Sequence, residues 1–167
     1  SVSLPVYTIK SVKTNNKTVV LELTESLYFD SGVRPTVTIK AGSIEDNHRN
    51  PNEEKSVLAK DMAAPYLWMN VGVENNSGSK IITISGITSD FSPNENSIVT
   101  HVEIFGKKQG ESKWKELAVL NNDEIVEPFV FGPYEWNVGK TGKYEVRVIA
   151  EDLAGNKKTA EKTIKLN

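Results

Sequence analysis

The stretch from Tyr144 to Asn156 constrains this chain more than any other. Tyr144, Val146, Val148 and Ala150 are apolar at every second position; Glu145, Arg147 and Glu151 stand between them, and only Ile149 breaks the rule. A period of two sends one set of side chains to a buried sheet face and the other to water, so the segment reads as a strand with one wet side. Asp152-Leu153-Ala154-Gly155-Asn156 then supplies a tight turn, because glycine tolerates positive φ and Asp and Asn bond to nearby backbone. Lys158 to Leu166 follows as a second amphipathic strand. Two such strands make a hairpin that closes a β-sandwich, and the fold class expected is all-β.

The same reading runs through the rest of the chain. Val6–Val12, Thr18–Thr24, Thr36–Lys40 and Ser56–Ala59 are strand candidates, with turns at Thr14 to Lys17 and Asp30 to Gly32 and a polar loop from Gly42 to Glu54. Lys60-Asp61-Met62-Ala63-Ala64-Pro65 changes the character to small residues and a proline, the composition of a short, stiff linker. A domain boundary is expected near Ala64, giving units 1–64 and 65–167. The second unit offers about seven strands: 68–73, 80–87, 98–106, 114–120, 128–136, 144–151 and 158–166. Turn residues divide them, among them Asn75 to Gly78, Ser92-Pro93-Asn94 and Gly139 to Gly142. Short strands at regular spacing predict a sandwich, and no segment has a convincing helical period.

At 167 residues the chain is long for one sandwich and comfortable for two small ones. Residues 1–64 carry eight positive and eight negative side chains, and residues 65–167 twelve and fourteen, so neither half has the basic excess of a nucleic-acid or anionic-membrane binder. With no cysteine there is no disulfide framework, thiolate nucleophile or Cys-based metal site. No apolar run approaches the roughly 18 residues of a membrane span. The start at Ser1, without Met or a signal peptide, reads as a mature protein or a piece of a longer chain.

Tyr144-x-Val146-x-Val148-x-Ala150-x-Asp152-x-x-Gly155-Asn156 resembles the penultimate strand and following turn of immunoglobulin-like and fibronectin type III-like modules. In those folds a tyrosine here makes a corner, its hydroxyl bonding to upstream backbone. Asp152-Leu153-Ala154-Gly155-Asn156 is similar to the ends of many bacterial surface-protein repeats, and Asp61 to Pro65 to the junctions between them. In the first unit, Val19 to Leu23 with Gly42 to Asp46 is similar to the short Ig-like repeats of surface-layer proteins. There the Glu45–Asn50 segment is a degraded form of the same turn, with His48-Arg49 where Ala-Gly is common. The resemblance implies two consecutive Ig-like or fibronectin type III-like β-sandwiches in a bacterial extracellular setting, and implies no ligand.

Little chemistry stands out. Asp61, Asp90, Asp152, Asn156 and the Glu45-Asp46-Asn47 cluster offer hard oxygen ligands in loops, which makes calcium the one cofactor to consider; turn formation is the plainer role for such residues. Trp68, Trp114, Trp136, Tyr134 and Phe91 could stack on sugars, Trp114 being the best placed for exposure between Lys113 and Lys115; otherwise they fill the core. His48 lies in a polar loop, and His101 on a strand whose buried side is Val102 and Ile104. Neither belongs to a nucleophile motif, and no catalytic, cofactor-binding or metal residues are assigned. Pro128 to Phe131 and Ile81-Ile82 read as core strands, or as an exposed edge for a partner. Glu145, Glu161, Lys162 and Lys165 protect the terminal strands. The expected role is a non-catalytic spacer or presentation module of a surface or secreted protein whose partners are neighbouring domains. The alternative is an accessory module of a secreted hydrolase or adhesin that binds a glycan or host protein.

Overall fold

A computed structural model describes residues 7–15, 18–25, 34–76, 79–90 and 98–167. Eleven strands occur in it: β1 (Tyr7–Asn15), β2 (Thr18–Glu25), β3 (Thr36–Ile39), β4 (Lys55–Leu58), β5 (Tyr66–Asn76), β6 (Ser79–Ser89), β7 (Val99–Lys108), β8 (Lys115–Asn121), β9 (Phe129–Asn137), β10 (Gly142–Asp152) and β11 (Lys157–Leu166). Each expected strand is present within a few residues of its expected limits. The architecture is all-β, every pairing is antiparallel, and the chain divides into two compact units between Asp61 and Met62. The expected turns that include Asn16-Lys17, Asp30 to Gly32, Ser77-Gly78 and Ser92 to Asn94 fall wholly or partly outside the described residues, as does Phe91.

In the first unit β1 pairs with β2, and β3 with β4, as two separate two-stranded sheets. None of its described residues is fully buried, and Ile9, Val12, Val20, Val57 and Leu58 are half exposed or more. Two-stranded ribbons bury little on their own, which is why the alternation in Val19, Leu21 and Leu23 produces only half-buried side chains here.

The second unit has two sheets, ordered β5-β6-β9 and β11-β10-β7-β8. One core lies between them: Ile82, Ile84 and Phe131 come from the first sheet, and Val102, Ile104, Tyr144, Val146, Val148, Ala150, Ile164 and Leu166 from the second. Residues 145, 147, 149 and 151 of β10 face the other way, so its register is the one its alternation dictates. Ile149, the apolar exception, lies half-buried on the outer face. The segment Ile81-Ile82 sits in β6, the middle strand, whereas β9 is an edge strand carrying Pro133, a residue that edges tolerate because no ladder partner needs its missing N–H.

Tyr144 ties the end of this core to the loop before it. Its ring is 5% exposed, packs edge-on to Trp136 at 5.5 Å between centroids, and its hydroxyl donates to the Lys140 carbonyl at 3.1 Å. Trp136 in turn lies over Gly106, where an added Cβ would come within 2.6 Å of the indole. Only glycine fits beneath that ring.

The same kind of turn occurs once in each unit. Asp152 Oδ1 accepts from the Asn156 backbone at 2.8 Å and Oδ2 from the Asn156 amide at 2.9 Å. Asp46 does the same with Asn50, at 2.9 Å in each case. In both, the residue before the Asn has positive φ, 87° at Gly155 and 64° at Arg49. The Glu45–Asn50 segment thus makes the turn with a side chain where glycine is the easier choice.

Two predictions follow from this packing. Tyr144→Phe is expected to lose about 1 kcal/mol in urea unfolding, the net worth of a hydrogen bond, and Tyr144→Ala about 3–5 kcal/mol, as for a buried aromatic. Gly155→Val, which meets no clash but must hold a β-branched residue at positive φ, is expected to cost about 1–3 kcal/mol. Arg49→Gly is expected to leave stability unchanged or raise it, the opposite sign, in the same melts.

Candidate functional site

The ends of β6 and β10, at one pole of the second unit, bring two carboxylates together. Asp90 directly follows β6, and Asp152 ends β10. Each offers an oxygen, and these oxygens lie within 4.8 Å of one another. Asp90 is 1% exposed and Asp152 2%. The sheets cause this convergence: Tyr66 pairs with Ser89, and Asp152 with Val99, so the starts of β5 and β7 and the ends of β6 and β10 share one pole.

A further acid organises the same pole. Glu127 accepts from the backbone N–H of Val99 at 3.0 Å and of Asp90 at 3.3 Å, fixing the two ends of the 90–99 connection. Asn122 is buried beside it, donating to the carbonyls of Val99 and Val126 and accepting from the Val126 N–H. Nothing in the sequence around Glu127 marks it for this task, since its partners are backbone groups far away along the chain.

Two carboxylates this close repel when ionised, by roughly 3–4 kcal/mol at an effective dielectric of 20. A hard cation removes that cost, though one oxygen from each of Asp90 and Asp152 falls well short of calcium's six to eight ligands. Asp152 can take part without leaving Asn156, because each carboxylate oxygen has two lone pairs. Of the oxygen donors named from sequence, Asp90, Asp152 and Asn156 come together within the second unit. The Glu45-Asp46-Asn47 group does not join them. Asp46 accepts from the N–H groups of His48 and Asn50 and from the Asn50 amide, and the Asn50 bonds hold its carboxyl below the usual range. Its contribution to stability is therefore present above the unfolded-state pKa and lost as pH falls through the folded-state value. That acid serves a turn.

The aromatics separate clearly. Trp136 and Tyr134 are half-buried and pack against the core, Tyr134 donating to the Leu117 carbonyl at 2.8 Å. Trp114, expected to be the exposed one, is half-buried instead. The Arg147 guanidinium lies 4.2 Å and the Lys107 ammonium 4.7 Å from its ring centre, and these cations are themselves paired with Glu161 and Glu145. Cations on an indole face are held by its quadrupole, so this cluster staples the 109–114 turn to the sheet. Trp68 is the exposed tryptophan, at 53%. His101 faces outward and contacts Glu151 at 3.3 Å and Thr100 at 3.1 Å, while Val102 and Ile104 are buried as expected. His48 is exposed in its loop.

Asp152→Ala is expected to cost about 1–3 kcal/mol by removing both acceptors of the turn, which the buried Asp152 carboxylate supplies. Loss of amide-exchange protection at Asn156 would accompany it. Unchanged stability would mean that the turn forms without the carboxylate.

No family model matches the chain, and none of the curated proteins matches it in sequence. Among solved structures, superoxide reductase from Nanoarchaeum equitans aligns with 62% of this chain and 93% of its own, at 13% identity and a TM-score of 0.39. A likeness that weak carries no inference about activity. No helix among the described residues is long and apolar enough to cross a membrane.

Proposed function

We propose that the chain is a non-catalytic spacer and presentation segment of a bacterial surface or secreted protein, built from two consecutive β-sandwich modules of the immunoglobulin-like or fibronectin type III-like kind. The observation that carries this reading is the direction of the chain through the second unit. It arrives at Pro65 and Tyr66, beside Ser89, and its last strand ends at the other pole, where Leu166 pairs with Gly142 and the Lys80 ammonium bonds the Asn167 carbonyl at 2.8 Å. Lys80 and Ser89 are at opposite ends of β6, so the two poles are about 30 Å apart at 3.3 Å per residue. A module traversed from pole to pole adds its full length to a protein, whereas one with adjacent ends adds none.

Strand order supports the module type. Counting the seven strands of the second unit from its start, the first, second and fifth share one sheet, and the third, sixth and seventh share the other. Immunoglobulin-type sandwiches divide these six the same way, and a tyrosine on the sixth strand makes the corner bond that Tyr144 makes to Lys140. The fourth strand, β8, lies with the third here, where constant-type domains put it on the opposite sheet.

The test is a distance. With no native cysteine to interfere, Ala64→Cys/Asn167→Cys can be spin-labelled at both sites. Pulsed dipolar spectroscopy is expected to give one narrow distribution centred at about 30 Å or somewhat beyond. A short or broad distribution, showing ends that meet or wander, would overturn the spacer reading.

A further inference from the structure

The outer face of the β5-β6-β9 sheet carries exposed aromatic and aliphatic side chains in register. Register puts Trp68, Ile87 and Val130 in one row across the three strands, with Trp68 53% and Val130 67% exposed. Tyr66, 49% exposed, precedes Trp68 by two residues and so points to the same side. The next rows along are small and polar: Asn70 opposite Ser85, then Gly72 opposite Thr83. Thr83 and Glu135 are paired, and that glutamate is the only charge in these rows. An added Cβ at Gly72 would come within 2.6 Å of the Thr83 hydroxyl, so the glycine keeps the floor flat there. Beyond Val130 the row runs into an open hollow of about 430 Å³, whose polar lining includes Asn121, Asp123 and Glu124.

We propose that this face binds a neutral glycan chain lying across the strands, stacked on Trp68 and continuing over Ile87 and Val130 into the hollow. The chemistry of the surface selects that occupant. An indole presents a flat apolar plane for the C–H face of a pyranose, with Tyr66 as a second ring about 7 Å along the strand. Amide, hydroxyl and carboxylate groups flank the rings and can bond sugar hydroxyls with no net charge on the ligand. There is no Lys or Arg in the rows described, and Glu135, Asp123 and Glu124 add negative potential, which disfavours nucleic acid, sulfated glycans and anionic lipid. Neighbouring strands are about 4.8 Å apart, so Trp68 to Val130 spans about 10 Å, the reach of roughly two sugar rings. The proposal goes beyond the spacer reading and does not need it.

The experiment is affinity electrophoresis of the full chain through gels containing soluble neutral polysaccharides, namely hydroxyethylcellulose, xylan, galactomannan and glycol chitin, with dextran sulfate as the anionic counterpart and sedimentation velocity over a concentration series to read self-association. Tryptophan fluorescence with the matching oligosaccharides accompanies it. Retardation by at least one polymer is expected, weakened about thirtyfold or more in Trp68→Ala, as for a central aromatic anchor. Trp114→Ala should leave retardation unchanged, and Trp68→Phe should retain part of it, which separates lost stacking from lost folding. Far-UV circular dichroism and thermal melts verify that each variant is folded. Four results would overturn the proposal: no retardation in any gel, retardation unaffected in folded Trp68→Ala, retention by sulfated polymers alone, or a concentration-dependent dimer that Trp68→Ala abolishes, which would assign the face to a second copy. The spin-label distance is independent of all four.

Discussion

The second unit depends on the burial of alternate side chains of β10 between two sheets. Val146, Val148 and Ala150 are fully excluded from water there, and β10 pairs on both sides, with β7 and with β11. Burying a valine side chain contributes roughly 1.5–3 kcal/mol, so one such strand represents several kilocalories held in one register. A slip of one residue would turn Glu145, Arg147 and Glu151 inward. The Tyr144 bond to Lys140 and the fit of Trp136 over Gly106 pin that register at one end, and the Asp152 turn pins it at the other. The carboxylate pair, the aromatic row and the hollow all lie on strand ends or strand faces that this register positions.

The first unit shows what happens without such a strand. Its ribbons have similar alternation, in Val19, Leu21 and Leu23, and the same Asp–Asn turn. Each ribbon has only two strands, and no described side chain in the unit is fully buried. Local pattern and turn chemistry are thus repeated between the units, and the difference lies in how many strands share a face. Its loop from Gly42 to Asn52 is held by polar bonds instead, the Asp46 carboxylate gathering His48 and Asn50 while the Asn52 side chain accepts from Ile44 and donates to Lys40 and Glu53.

Most of the strands were legible in the sequence because each second-unit sheet has a wet outer face, and a wet face forces the two-residue period that can be read by eye. Turns were legible where Gly or an Asp–Asn pair set them. Position within a sheet was not: Ile81-Ile82 looks no different as an edge than as the central strand it is, because neighbours are chosen by residues far away. The exposure of tryptophans failed for the same reason. Lys113 and Lys115 suggested a solvated Trp114, but the cations that cover it, Lys107 and Arg147, come from other strands. Trp68 could have been found, since Leu67, Met69 and Val71 claim the inward positions of β5 and leave the even-numbered residues outside. Asp90 and Asp152 each read as an oxygen donor, yet their meeting is a product of topology that spacing along the chain does not encode.

The path of the chain through the second unit has a mechanical consequence. Because β5 and β11 run in the same sense, from the Pro65 pole to the Asn167 pole, tension applied along that axis would slide β5 against β6 and β11 against β10 lengthwise. Rupture would then require a whole ladder of hydrogen bonds to yield together, not one pair after another as when a hairpin is peeled open from its end. Such a geometry resists load through its rate of forced opening, a property that equilibrium stability alone does not measure.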